Sequence, residues 1–255
     1  DIAPGNQSAS PLDFLAYNGK LYFTADVDTL GRELWSTNGT AKGTQIVKDI
    51  DSGAGDGYPR ELTLFNGKVY FNAKSKSGIY RLWSTDGTEK GTVLHLNDAG
   101  SDVVARELTA VGKLLFYTSS VSGKGTELGR TDGTAKGTLF FDLDVGTYSS
   151  YPQQLTAGDT VLYFVAEVDK GKELYYSDGT SKGTRLTKDM YPIQTDAFIS
   201  GIATIGNTAI FRAHSYPDYQ DYELYKREGS STRRIKNINK DKASNPRYLT
   251  TYKNR

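Results

Sequence analysis

The residues that could do chemistry are few, and they fall in segments that look like loops. The densest set is His214-Ser215-Tyr216-Pro217-Asp218-Tyr219-Gln220-Asp221-Tyr222. Tyrosines beside aspartates suit a sugar. A phenol ring covers the apolar face of a pyranose, and a carboxylate accepts its hydroxyl hydrogens. Tyr151 and Tyr191 fall in other links of the chain and are expected to line the same surface, as are Tyr58 and Tyr148. The candidate ligand-binding residues are therefore Tyr216, Asp218, Tyr219, Asp221, Tyr222, Tyr151 and Tyr191. A lengthened loop packing its own rings on the surface is the alternative reading of the same residues.

A second set is Asp49, Asp51 and Asp56, interleaved with Gly53, Gly55 and Gly57. Calcium takes several oxygens from a tightly turning loop, and this composition supplies three carboxylates. The distal Glu of an EF-hand is missing, because Arg60 stands at the twelfth position. Calcium is thus the one cofactor the sequence offers, against a plain turn between units.

Catalysis has little to stand on. The two histidines, His95 and His214, sit in no motif that pairs them with a nucleophile or a second ligand. There is no GxSxG, HExxH, P-loop or dinucleotide fingerprint. The chain has no cysteine, so it offers neither disulfide nor thiolate chemistry. A net charge of +1 gives no global attraction to nucleic acid or to a membrane surface. No apolar run is long enough to cross a bilayer as a helix. The Asn6-Gln7-Ser8 sequon hints at a glycosylated, secreted chain. The chain begins at Asp1 and ends at Arg255, like a mature product or a segment of a longer array.

What positions these residues is a repeat. Glu33-Leu34-Trp35-Ser36-Thr37-Asn38-Gly39-Thr40 returns as Arg81 to Thr88, Glu127 to Thr134, Glu173 to Thr180 and, worn, Glu223 to Ser230. Each copy carries four short apolar runs. In the second they are Glu61 to Phe65, Lys68 to Ala73, Tyr80 to Thr85 and Thr92 to Leu96, with hairpin signals at Asn66-Gly67 and Asp86-Gly87. Four short strands joined by tight turns make one antiparallel meander. One such sheet is too thin to bury both faces, and stacking several as the blades of a propeller solves that. The expectation is an all-β, five-bladed propeller in a single domain over 1–255. Its units are 3–50, 51–98, 99–144, 145–190 and 191–238, with an extra first strand in 239–255. A six-bladed ring and a fragment of a longer array are the alternatives.

In such a meander the first and third turns share one end of the sheet, and the second turn and the links share the other. Lys42, Lys90, Lys136 and Lys182 belong to the first end, and Asp26, Asp28, Asp51 and Asp56 to the second. A basic face for a polyanion follows, or simply solvated turns. The repeated Leu-Trp is expected to pack blade on blade, and Asp-Gly-Thr to be turn chemistry.

Glu33 to Ile50, ELWSTNGTAKGTQIVKDI, and Leu62 to Ala73, LTLFNGKVYFNA, resemble the bacterial ELWxxDGT repeat family, also described under hyalin-type repeats. The resemblance covers essentially the whole chain. It implies propeller-like architecture and a place in large surface or secreted proteins. Trp is kept only at Trp35 and Trp83, with Gly129, Tyr175 and Tyr225 in its place elsewhere. The function expected is a non-catalytic, lectin-like module outside the cell or on its surface, holding glycans or glycoproteins through several weak sites. An adhesion or assembly module that self-associates through the C-terminal strand is one alternative. A glycan-acting enzyme is the other.

Overall fold

The computed structural model describes residues 2–3, 8–74, 78–168, 171–190, 196–214, 221–238 and 244–251. Among them there are strands and turns but no helix. Five four-stranded antiparallel sheets, each a consecutive meander, form the blades of a propeller-type fold. The first sheet is β1 (Leu12–Tyr17), β2 (Lys20–Val27), β3 (Gly31–Thr37) and β4 (Gln45–Lys48). The second is β5 (Arg60–Phe65), β6 (Lys68–Lys74), β7 (Tyr80–Thr85) and β8 (Val93–Leu94). The third is β9 (Arg106–Val111), β10 (Leu114–Val121), β11 (Gly125–Thr131) and β12 (Leu139–Phe141). The fourth is β13 (Gln153–Ala157), β14 (Leu162–Val168), β15 (Gly171–Ser177) and β16 (Arg185–Leu186). The fifth is β17 (Ser200–Ile205), β18 (Thr208–Ala213), β19 (Glu223–Glu228) and β20 (Ser231–Lys236).

By packing, the chain falls into two compact units, 1–115 with 131–139, and 116–130 with 140–255. In the first unit Tyr22, Leu34, Val47, Ile50, Val69, Phe71 and Ala73 form one core cluster from the first two sheets and the link between them. In the second, Tyr163, Val165 and Leu174 of the fourth sheet meet Ile202, Ala209, Phe211 and Tyr225 of the fifth. Each such large side chain taken out of water contributes roughly 1.5–3 kcal/mol.

The repeated aromatic position is packing, as its place beside Leu predicts. Trp35, Trp83, Tyr175 and Tyr225 lie directly across from Phe23, Phe71, Phe164 and Phe211. The Tyr225 and Phe211 rings stack at 5.9 Å. Gly129 replaces the ring for a steric reason. A Cβ there would lie 2.3 Å from the ring of Tyr117, which is fully buried and fills the space.

The Asp-Gly-Thr turn is a closed set of local bonds. Asp86 Oδ1 accepts from the amide and the hydroxyl of Thr88, at 2.9 and 2.7 Å, and Thr88 Oγ1 accepts from Gly91 N. The following Thr92 bonds back to Thr88 O and pairs its hydroxyl with Thr85 at 2.7 Å. Asn38, Asp132 and Asp178 repeat the pattern.

Each first strand opens on a bulge with a residue at positive φ. These are Asp13, Glu61, Glu107, Gln154 and Gly201, and Tyr248 occupies the same place in the sixth copy, all with φ between 54° and 60°. Residues 244–251 share that backbone turn but form no strand. In the second unit they lie along β17, where Thr251 Oγ1 accepts from Thr204 N at 2.9 Å.

Candidate functional site

The links between sheets are tied down by the glutamate that opens four of the five repeats. Glu33 is fully buried, yet it accepts hydrogen bonds from three link amides: Ile50 N at 3.0 Å, Asp51 N at 3.2 Å and Gly57 N at 2.9 Å. Burial pushes its carboxyl up to about 7, and the three amides restrain the rise. Glu127 does the same in the third repeat. It accepts from Leu143 N, Ser150 N and Ser150 Oγ, and burial again raises it. Glu223 holds Ile238 N and Ser244 Oγ. In the second repeat the position is Arg81, and an ion pair of 2.7 Å to Asp102 does the same work. Glu33 and Glu127 direct both oxygens at the link, so their raised carboxyls serve architecture.

The same links continue between strands. Tyr58 N donates to Arg32 O, and Gly57 O accepts from Lys74 N. Tyr151 N donates to Thr126 O, and Ser150 O accepts from Glu167 N. This places Tyr58, Tyr151 and Phe198 at equivalent points, each in left-handed backbone with φ of 43°, 43° and 46°. Their rings stand out, at 40, 56 and 54% exposed. Left-handed backbone at a non-glycine residue costs on the order of 1 kcal/mol, and here the surrounding amide bonds impose it.

In the second unit the link before β13 opens into a shallow depression of about 440 Å³, lined by Asp144, Thr147, Tyr148, Ser149, Tyr151, Glu167 and Val168. Tyr148 is 71% exposed. Gly125 lets this link approach, since a Cβ there would lie 2.5 Å from Tyr148 O. The rim joins two free phenol rings to two carboxylates and two hydroxyls. That arrangement can stack on a sugar ring and accept its hydroxyl hydrogens.

Of the other expected residues, Tyr222 and Asp221 do not line this depression. Tyr216, Asp218, Tyr219 and Tyr191 lie outside the described residues. Tyr222 is covered on one face by the Arg212 guanidinium, 3.8 Å from the ring centre, and its edge meets His214. Asp221 faces Arg234 at 3.4 Å. Of the calcium candidates, Asp49 Oδ2 accepts from Gly53 N and Asp56 Oδ1 from Arg32 N. Asp51 lies against Gly55. Among the described residues no three acidic, histidine or cysteine side chains converge on a point that could hold a metal.

The acidic end of the sheets is not a bare negative surface. Arg32 meets Asp26 at 4.0 Å, Lys124 meets Asp142 at 3.5 Å and Lys172 meets Glu167 at 3.7 Å. Phe198 and the buried glutamates escaped the sequence reading. Counting 47 residues on from Tyr151 would have found Phe198.

No family model matches the chain, and no curated protein does. Among solved structures it is similar to a puromycin hydrolase, with a TM-score of 0.51 and 11% identity, over 92% of this chain and 39% of that one. The S511A mutant of puromycin hydrolase, complexed with PGG, gives a TM-score of 0.54 at 12% identity with the same coverage. A computationally designed protein, Ika8, aligns over 91% of this chain and 63% of its own, with a TM-score of 0.47 and 16% identity. The chain thus spans about two fifths of the length of the hydrolases it matches. At these identities the likeness is one of fold.

Proposed function

We propose that the chain is a non-catalytic carbohydrate-recognition module that works outside the cell or at its surface. The observation that carries the reading is the depression at Tyr148 and Tyr151, with Asp144 and Glu167 on its rim. It is open and shallow, as suits a terminal or internal sugar of a chain rather than an enclosed substrate. The equivalent rings of Tyr58 and Phe198, partly taken by Lys74 at 4.5 Å and by the His214 ring at 4.9 Å, offer further, weaker sites. Several weak sites on one chain bind a repeating glycan with avidity.

A non-catalytic role is favoured by where the shifted acids are. Glu33 and Glu127 are equivalent residues of different repeats, and each is occupied by backbone amides. An active site needs shifted groups facing a substrate.

The test is a glycan array covering neutral and acidic sugars, run with the folded chain and with Tyr151→Ala. Binding above background that falls about tenfold in the variant supports the proposal, since an aromatic–sugar stack is worth roughly 1–1.5 kcal/mol. A blank array with folded protein refutes it.

A further inference from the structure

The fifth repeat departs from the others at one buried position. Thr37, Thr85, Thr131 and Ser177 hold the end of the third strand in the first four copies. Each pairs its hydroxyl with a threonine seven residues on, at 2.7, 2.7, 3.0 and 2.7 Å. The fifth copy has Arg227 there. Its turn is the short Gly229-Ser230, so the threonine partner is gone as well.

Arg227 is only 5% exposed. Its Nε and Nη1 are buried without a hydrogen-bond partner. So is Oγ1 of Thr232, the residue directly across from it on β20. Directly opposed side chains share one face of a sheet within about 5 Å, so these donors belong to one spot. No carboxylate among the described residues pairs with the guanidinium. The nearest acid in sequence, Glu228, is taken by Lys226 at 2.6 Å.

Two aromatic residues of the fourth sheet complete the surroundings. The Arg227 guanidinium lies 5.1 Å from the ring centre of Tyr176. Arg185 lies 5.4 Å from the same ring and donates its Nε to the Tyr176 hydroxyl. Arg185 is exposed and has no carboxylate partner among the described residues either. Tyr163, whose phenol burial raises, also feels the Arg227 charge, which pulls the other way. Among the described residues the buried Nε and Nη1 of this always-charged guanidinium meet only phenols, and a bound anion would supply their missing partner.

We propose that Arg227, Arg185 and Thr232, with Tyr176 as a wall, form a binding site for a tetrahedral oxyanion, a sulfate or a phosphate group. The guanidinium supplies directed donors and positive charge, the hydroxyl a further donor, and Arg185 a second cation at the mouth. The site lies at the turn end of the strands, opposite the links that carry Tyr148 and Tyr151. It therefore does not rest on the carbohydrate reading.

Titration calorimetry of the 255-residue chain with sodium sulfate tests it, against sodium chloride at matched ionic strength. Sodium phosphate and sodium acetate are parallel arms. Saturable sulfate or phosphate binding is expected, weakened about tenfold or more in Arg227→Met and several-fold in Arg185→Met and Thr232→Val. Arg233→Met, exposed on the same strand as Thr232, should leave it unchanged. No saturable binding beyond chloride, or equal binding in Arg227→Met, overturns the proposal. Acetate binding without sulfate or phosphate binding overturns the tetrahedral assignment. Should Arg227→Met fail to fold, the Arg227 Nε–H resonance of the unmodified chain is followed during sulfate addition. A saturable shift at Arg227 supports the site, and a fixed resonance contradicts it.

Discussion

His95 packs its ring on Tyr70 at 5.0 Å and shares a hydrogen bond of 2.9 Å between its Nε2 and the Ser84 hydroxyl. Burial, with a smaller push from Lys68, depresses its pKa from 6.5 to about 4. The folded chain thus holds this histidine neutral where the unfolded chain would protonate it. Its contribution to stability is complete above pH 6.5 and is lost as the pH falls toward 4. In His95→Gln that acid loss should shrink by about 2 kcal/mol, measured as urea stability at pH 7 and pH 4.5. An unchanged pH dependence would mean the ring is solvated. Gly129 makes a second prediction at this scale. Restoring a side chain at the position that holds Trp35 and Trp83 in the first two repeats should harm the fold, because the Tyr117 ring is already there. Gly129→Ala is expected to cost about 2 kcal/mol in the same assay.

At the scale of the element, the sheet was written plainly in the residues and the link was not. The run Tyr80 to Thr85 is β7 to the residue, and Asn66-Gly67 is the turn that hydrophobic alternation calls for. Asp-Gly-Thr was readable because its bonds are local: the carboxylate meets an amide two residues away. Glu33 and Glu127 were not readable. An acid defaults to the surface, and their partners lie 16 to 24 residues distant in a link with no regular structure. The bulge residues Asp13, Glu61 and Gln154 were silent for a similar reason, since glycine alone announces positive φ. If the glutamates anchor the links, removing one leaves buried amides without an acceptor. Glu127→Ala should cost about 3 kcal/mol, and amide hydrogen exchange should quicken at Leu143 and Ser150 before it does in β14 and β15. A uniform change across the unit would show that the acid supports the whole sheet instead.

For the molecule as a whole, repetition sets the frame. Five sheets repeat one hydrogen-bond plan, and the links between them carry the exposed rings of Tyr58, Tyr148, Tyr151 and Phe198. The near-neutral charge masks local pairing, with Arg32, Lys124 and Lys172 each set against an acid at the link end. Carbohydrate recognition, as proposed, would then rest on surface aromatics more than on net charge. The most direct measurement of this account is chemical-shift mapping of the chain with a glycan that scores on an array. Carbohydrate recognition at the links predicts perturbations centred on Tyr148, Tyr151 and Glu167, with weaker ones at Tyr58 and Phe198. Perturbations confined to the turn end of the strands, or none at saturating sugar, would contradict it.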